Sequence, residues 1–263
     1  MNIKLIAFDL DGTIFSNTVS EKVKLAFSEL EKRKIKILPI TGRSLHSTLD
    51  ILDMAGIKNN KELSVLTTGA LVQDLNTKDI KNKNFLKSLD FLKLKKYENS
   101  NIHISVYTTK FLYYTTLSEE LLNDAYALKD PLRLITDTDF EGGICRINFM
   151  GKEEHLNEFK KLYVNELSKD YYVVSNIPTS LEILSKKSSK ANGLKFVMDY
   201  YGFTKDEVLA IGDGNNDVSM FNVVTNSVAM GNASEYVKKH AKYITSSIEN
   251  DGFYVILKEL EII

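Results

Sequence analysis

Apolar and polar positions follow two different rhythms along this chain. Leu5-Ile6-Ala7-Phe8 is a short apolar run with the character of a buried strand, and it breaks at once into Asp9-Leu10-Asp11-Gly12-Thr13. Over residues 20–34, Val23, Phe27 and Leu30 recur with charges between them, which predicts a helix with one buried face and Ser20 as its N-cap. Residues 35–40 read as a second strand, ending in Thr41-Gly42-Arg43-Ser44 before a helix that runs to Met54. Residues 63–67 read as a third, ending at Thr68-Gly69-Ala70. Strands alternating with helices predict a parallel sheet whose loop tips lie on one edge.

From about residue 82 the period changes. A helix over 85–96 precedes the alternating strand 102–107, which pairs as a hairpin with 111–116. Residues 117–128 read as helix, 144–150 as strand and 153–167 as helix. Residues 171–175 and 181–184 form a second hairpin about the turn Asn176-Ile177-Pro178-Thr179. The pattern predicts a largely antiparallel sheet with helices on one face and a polar face opposite. On strand 144–150 the period of two separates Cys145, Ile147 and Phe149 from Arg146 and Asn148. The polar face is expected toward the core crevice, where Arg146 with Asn148 grips hydroxyls or a second anion on a substrate's leaving group.

The parallel rhythm returns after Ser185. Residues 191–201 are helical, and 208–211 form a strand that ends in Gly212-Asp213-Gly214-Asn215-Asn216-Asp217. Short strands follow at 227–230 and 243–245. The fold class expected is α/β, a Rossmann-like parallel-sheet core of residues 1–81 and 186–263, with residues 82–185 inserted as a smaller α+β domain.

Composition removes several function classes. A net charge of -1 gives no electrostatic reason to expect nucleic acid or an anionic membrane as partner. A single cysteine, Cys145, excludes an internal disulfide and a thiolate metal cage. The amino-terminal segment lacks the order of a signal peptide and no run approaches membrane-spanning length, so the expectation is a cytoplasmic protein.

Asp9 and Asp11 stand one residue apart at a strand end, where like charges repel and lose solvation unless a cation such as Mg²⁺ joins them. A calcium loop does not fit, because Ile14 and Ser20 occupy the positions that need Gly and Glu. Three motifs, at Asp9–Thr13, Thr41–Arg43 and Gly212–Asp217, end predicted parallel strands, and Lys190 opens the helix before the last of them. All four can converge on the crevice at the carboxyl ends of the strands.

In these motifs, their order and their spacing the chain resembles the haloacid dehalogenase superfamily, and within it the Cof-type phosphatases that carry a large α/β cap. Val228-Ala229-Met230-Gly231-Asn232-Ala233 and Asn250-Asp251-Gly252 extend the resemblance over nearly the whole chain. Two departures stand out: the family commonly has Asn-Gly-Ala where this chain has Thr68-Gly69-Ala70, and Lys-Gly-x-Ala-Leu where it has Lys190-Ala191-Asn192-Gly193-Leu194. The resemblance implies Asp9 as the nucleophile that forms an aspartyl-phosphate and Asp11 as the general acid and base. It implies Mg²⁺ held by Asp9, Asp213 and the backbone carbonyl of Asp11, with Asp217 beside Lys190 or a water on the metal. Thr41, Lys190, Asn216 and the backbone at Leu10 and Gly42, with Arg43 next to them, would hold the phosphoryl group.

The implied activity is hydrolysis of a small phosphorylated metabolite by a monomer or homodimer, with sugar phosphates, flavin mononucleotide and pyridoxal phosphate all open as substrates. Two rivals share the same residues. A phosphomutase of the superfamily keeps Asp9 and Asp11 but returns the phosphoryl group to a sugar. A phosphoryl-accepting receiver module also uses Mg²⁺, Asp, Thr and Lys on a parallel sheet, but it is about half this length and carries its acid pair on a different strand.

Overall fold

The computed structural model describes residues 1–57, 62–175 and 177–263, so Asn176 of the expected turn lies outside the described residues. The chain opens with β1 (Leu5–Phe8), α1 (Glu21–Lys32), β2 (Lys36–Pro39), α2 (Leu45–Met54), β3 (Leu63–Leu66), β4 (Leu71–Asp74) and β5 (Ile80–Lys83). It continues through α3 (Ser88–Lys95), β6 (His103–Thr108), β7 (Leu112–Tyr114), α4 (Glu119–Leu128), β8 (Leu132–Leu134), β9 (Ile144–Met150), α5 (Glu153–Asp170), β10 (Tyr171–Val174) and β11 (Ser180–Ser185). It closes with α6 (Lys190–Tyr201), β12 (Val208–Gly212), α7 (Val218–Phe221), β13 (Asn226–Ala229), α8 (Glu235–Lys238), β14 (Tyr243–Ile244) and α9 (Gly252–Glu259). Two compact units result, one of Met1–Gly42, Thr48–Asn82 and Ser189–Ile263, the other of Arg43–Ser47 and Lys83–Ser188.

The first unit is built on a parallel sheet in the order β14-β13-β12-β1-β2. All four residues of β1 are fully buried, as a strand covered on both faces must be. On one face Phe8 meets Phe27 of α1 at 5.3 Å and Phe253 of α9 at 5.5 Å between ring centroids. On the other, Leu5 and Ala7 pack with Leu194 and Val197 of α6 and with Val208 and Ala210. Ser20 caps α1 by accepting a hydrogen bond from the Val23 amide, an interaction worth about 1 kcal/mol.

The third expected strand is present but paired differently. β3 joins the β2 edge through a parallel bridge between Ile40 and Val65 and a hydrogen bond from Ser64 Oγ to the Pro39 carbonyl, and forms an antiparallel ladder with β4 in the small sheet β3-β4-β5. β4, β5 and β8 are short strands without a long alternating pattern, which is why periodicity passes over them. The exchange of small residues after Lys190 also has a packing reason. A Cβ at Gly193 would lie 2.3 Å from Val65 Cγ1, so glycine lets α6 lie close against β3.

The second unit carries the sheet β10-β11-β9-β6-β7-β8, antiparallel except between β7 and β8. Ile104, Val106, Ile147 and Phe149 face α3 and α5 through Phe91, Leu94, Leu156 and Phe159. The helices are not confined to that face. Leu121, Ala125 and Leu128 of α4 cluster with Tyr107, Leu112 and Met150, and Met150 shares its strand face with Arg146 and Asn148. β9 is accordingly buried along its whole length. Among the described residues no helix is long and apolar enough to cross a membrane.

Candidate active site

Strand register brings the acid-bearing loops together. β1 lies between β12 and β2, with Phe8 level with both Ile211 and Pro39, so the chain leaves the three strands side by side at the same edge of the sheet. Neighbouring strands are about 4.8 Å apart, close enough for side chains on adjacent loops to touch. Gly12 makes that approach possible. It adopts a φ of +74°, and a Cβ there would sit 2.2 Å from Asp213 Oδ2.

Lys190 is the centre of the cluster. Its side chain is fully buried at the start of α6, and its ammonium lies 2.9 Å from Asp9 Oδ1 and 2.6 Å from Asp217 Oδ1. Ser189 caps the helix by accepting from the Asn192 amide. The Ala191 amide donates to Ser219 Oγ, which itself donates to the carbonyl of Asn216, tying the lysine helix to the Gly212–Asp217 loop. Asp217 Oδ2 accepts from the amides of Asp213 and Gly214 at 3.0 and 2.8 Å. Both oxygens of Asp217 are thus engaged, and it braces the lysine and the loop at once. Asp213 Oδ1 accepts from the Thr13 hydroxyl at 2.8 Å, across 200 residues of chain.

Charge in this cluster does not balance. Burial acts to lower the Lys190 pKa, but the carboxylates of Asp217 and Asp9 outweigh it and hold the ammonium charged. Burial raises Asp9 well above the ordinary carboxylate range, Lys190 opposes the rise, and Asp217, Asp213 and Asp11 add to it. Burial and the neighbouring Asp217 push Asp213 up to about 6. One ammonium therefore serves three carboxylates. Ligand oxygens of Asp9, Asp213 and Asp217 lie within 4.8 Å of one another, an all-oxygen set of the kind that suits a hard divalent cation. The excess negative charge is what such an ion relieves.

The other expected site residues divide into two groups. Thr41 is fully buried, with its amide on Val65 O and its carbonyl accepting from Thr68 N, and it follows β2 beside Asp9. Leu10 is buried, and its carbonyl accepts from the amides of Thr13, Ile14 and Phe15, which shapes the loop. Gly42 and Asn216 are half-buried at their loop ends, and Asp11 is exposed on the loop after β1, outside the carboxylate cluster. Arg43 is grouped with the second unit, where its guanidinium donates to the carbonyl of Ala127.

Arg146 and Asn148 form no open polar face. Arg146 is 4% exposed, paired with Glu182 at 3.2 Å, and its guanidinium lies 4.0 Å from the centroid of the Tyr107 ring. Asn148 is 1% exposed and donates to Ser180 Oγ at 2.9 Å. Burial opposes the Arg146 charge, and Glu182 and Tyr107 restore it. Glu182 lies on β11, and the register that sets it opposite Asn148 brings it beside Arg146. Thr13, Ser219 and Asn232 support the site without having been singled out. Thr13 and Asn232 lie in motifs already noted, whereas nothing local marks Ser219.

The haloacid dehalogenase-like hydrolase family matches residues 6–257. The chain belongs to that family. Among curated proteins it is 26% identical to the phosphatase YwpJ of Bacillus subtilis, over 98% of this chain and 100% of that one. It is 27% identical to the 5-amino-6-(5-phospho-D-ribitylamino)uracil phosphatase YcsE of the same organism, over 96% and 93% of the two chains. A haloacid dehalogenase-like hydrolase from Bacteroides thetaiotaomicron has the same fold, with a TM-score of 0.87 at 25% identity over 98% of this chain and 99% of that one. The protein is therefore a hydrolase that sits among the Cof-type phosphatases of the superfamily, and the receiver reading falls away.

Proposed function

We propose that the protein is a Mg²⁺-dependent phosphatase that hydrolyses small phosphorylated metabolites through an aspartyl-phosphate on Asp9. The observation that carries this reading is the buried ammonium of Lys190 between Asp9 and Asp217, with Asp213 completing an oxygen-only cluster. Mg²⁺ bound by Asp9, Asp213 and the backbone carbonyl of Asp11 would supply the positive charge that lets a carboxylate face a phosphate dianion.

The residues of the chain divide the work. An oxygen of Asp9 bonds to phosphorus while the ester P–O bond breaks, and the departing alkoxide takes a proton from Asp11. Water then attacks phosphorus and gives its proton to Asp11, the bond to Asp9 breaks, and inorganic phosphate leaves with both acids restored. Lys190 stays charged, so it anchors Asp9 Oδ1 and offers positive charge to the phosphoryl group instead of acting as a base. Thr41 and Asn216, with the backbone at Leu10 and Gly42, hold the remaining phosphoryl oxygens. Asp217 keeps Lys190 in place and does not react.

The relative YcsE, named for a phosphorylated ribityl compound, supports phosphomonoesters of small hydroxylated metabolites as the substrate class. Phosphate release from a panel of such compounds, with and without a chelator, tests the reading. Activity that ends in chelator and returns with Mg²⁺ is expected, together with labelled phosphate trapped on Asp9. Full activity in chelator, or label on another residue, would remove it.

A further inference from the structure

Two motifs have so far been given no task, Gly231-Asn232-Ala233 after β13 and Asn250-Asp251-Gly252 before α9. Hydrogen bonds link them to the acid cluster. Asn232 Nδ2 donates to the carbonyl of Gly12 at 2.9 Å and lies 3.4 Å from Asp213 Oδ2, while its Oδ1 accepts from the Ile248 amide at 3.0 Å. Three segments distant in sequence meet on one side-chain amide.

The orientation of that amide is decided by chemistry. A backbone N–H only donates, so the Asn232 atom facing Ile248 is the oxygen. The amino group is then left facing two acceptors, the Gly12 carbonyl and the Asp213 carboxylate. A flipped amide would set like against like at all three contacts. Ile248 is itself held in place. It opens the 3-10 turn Ile248–Asn250, in which Asn250 Nδ2 donates to Ser247 Oγ at 3.1 Å and the Gly252 amide donates to Ser247 O at 3.0 Å. Thr245 Oγ1 donates to the Gly252 carbonyl at 2.8 Å, and the Gly231 amide donates to Ser246 O at 3.0 Å.

We propose that Asn232 is a positioning residue that clamps the Asp9–Gly12 loop to the Asp213 loop, and that the Asn250-Asp251-Gly252 turn is the post that aims it. The inference rests on the metal-dependent reading above. Gly12 leaves no room for a side chain beside Asp213, and Asn232 grips Gly12 and Asp213 together, so it sets the spacing between the acids that would share the cation. Partners that orient metal-binding carboxylates typically contribute 10- to 100-fold to metal affinity when removed.

The test is direct binding of Mn²⁺ to the full-length protein, followed by electron paramagnetic resonance without substrate, for the unaltered chain and for Asn232→Ala and Asn232→Ser. Both variants are expected to bind Mn²⁺ at least about tenfold more weakly, with the metal-free thermal midpoint unchanged. At saturating metal their KM for an aryl phosphate should equal that of the unaltered enzyme, since both polar atoms of the Asn232 amide are taken up by Gly12, Asp213 and Ile248. Asn250→Ala should weaken Mn²⁺ binding by a smaller factor, because it loosens only the post. Binding by the unaltered protein together with unchanged affinity in both Asn232 variants overturns the clamp and leaves the phosphatase reading standing. No Mn²⁺ binding by the unaltered protein overturns both. Loss of folding in both variants would make Asn232 a structural residue and end the proposal.

Discussion

Each unit of this protein buries a cationic side chain, and the two are held in different geometries. In the second unit Arg146 pairs with Glu182 at 3.2 Å, with the Tyr107 ring against its guanidinium and the charge of Asp124 also acting on it. In the first, Lys190 is shared by Asp9 and Asp217, with Asp213 close by. A buried ion pair in direct contact is tolerated in a folded interior, because each ion offsets the desolvation of the other. A surplus of carboxylates lowers stability unless something binds there. Burial of charge is thus common to both units, and carboxylate oxygens gathered within 4.8 Å of one another are, among the described residues, the mark of the site.

Backbone strain at β-branched residues falls on a loop of the first unit. Among the described residues, the β-branched residues with positive φ are Thr67 and Thr68, at 48° and 54°, on the loop whose Thr68 amide donates to Thr41 O. Such conformations cost of order 1–3 kcal/mol each and persist where the surroundings enforce them. Among the described residues of the second unit the non-glycine residue with positive φ is Lys129, which follows α4 as its C-cap. An exposed helix end explains that one without a site.

The sharpest way to break the comparison is Asp9→Asn. It leaves Lys190 with Asp217 as partner and should lower turnover by about 10⁴-fold or more, while circular dichroism reports an intact fold. Measurable turnover near that of the unaltered enzyme would mean the unbalanced cluster is not the reacting one.

Glu182→Ala is the counterpart in the second unit. It strands Arg146 in the interior and should cost about 3–5 kcal/mol in denaturant unfolding. The double variant Arg146→Met with Glu182→Leu should recover most of that loss, because an apolar pair of similar volume needs no compensation. If the double variant is no more stable than the single one, the pair does more than satisfy itself.

Added Mg²⁺ should act on the first cluster. At 100 times its Kd it would stabilise the protein by about 2.7 kcal/mol, seen as a rise in thermal midpoint that chelator reverses. In chelator the pH dependence has a definite sign. Burial and Asp217 raise Asp213 to about 6, above the unfolded value near ~3.9, so its neutral form is the one folding favours. Its contribution is fully present below the unfolded pKa and is lost as pH rises through about 6. Metal-free protein should therefore be less stable at pH 7.5 than at pH 5 as far as this group decides, and Mg²⁺ should narrow the gap. A midpoint indifferent to Mg²⁺ at neutral pH would count against a cation at this cluster.

The smallest expected effect is a gain. Thr68→Asn puts the residue common in the resembling family into a left-handed conformation that Asn tolerates better than Thr, and should stabilise by about 1 kcal/mol. Denaturant midpoints of the two proteins decide it, and a loss of stability would show that the Thr68 side chain matters more than its backbone.

Most of the elements and motifs are legible in the chain, because their signals are local. An apolar tetrapeptide ending in Asp9, a serine ahead of an amphipathic helix at Ser20, and a glycine-rich turn after Val208–Gly212 each depend on a few neighbouring residues. The tertiary structure alone decided which side chains complete one another. Thr13 reaches Asp213, Asn232 reaches Gly12, and Glu182 finds Arg146 through strand register and loop approach, over separations for which sequence spacing carries no information. The same limit explains the misplaced partner of β3 and the helix on the unexpected face of the second sheet. Periodicity reports that a face is buried or polar, and only packing decides what covers it.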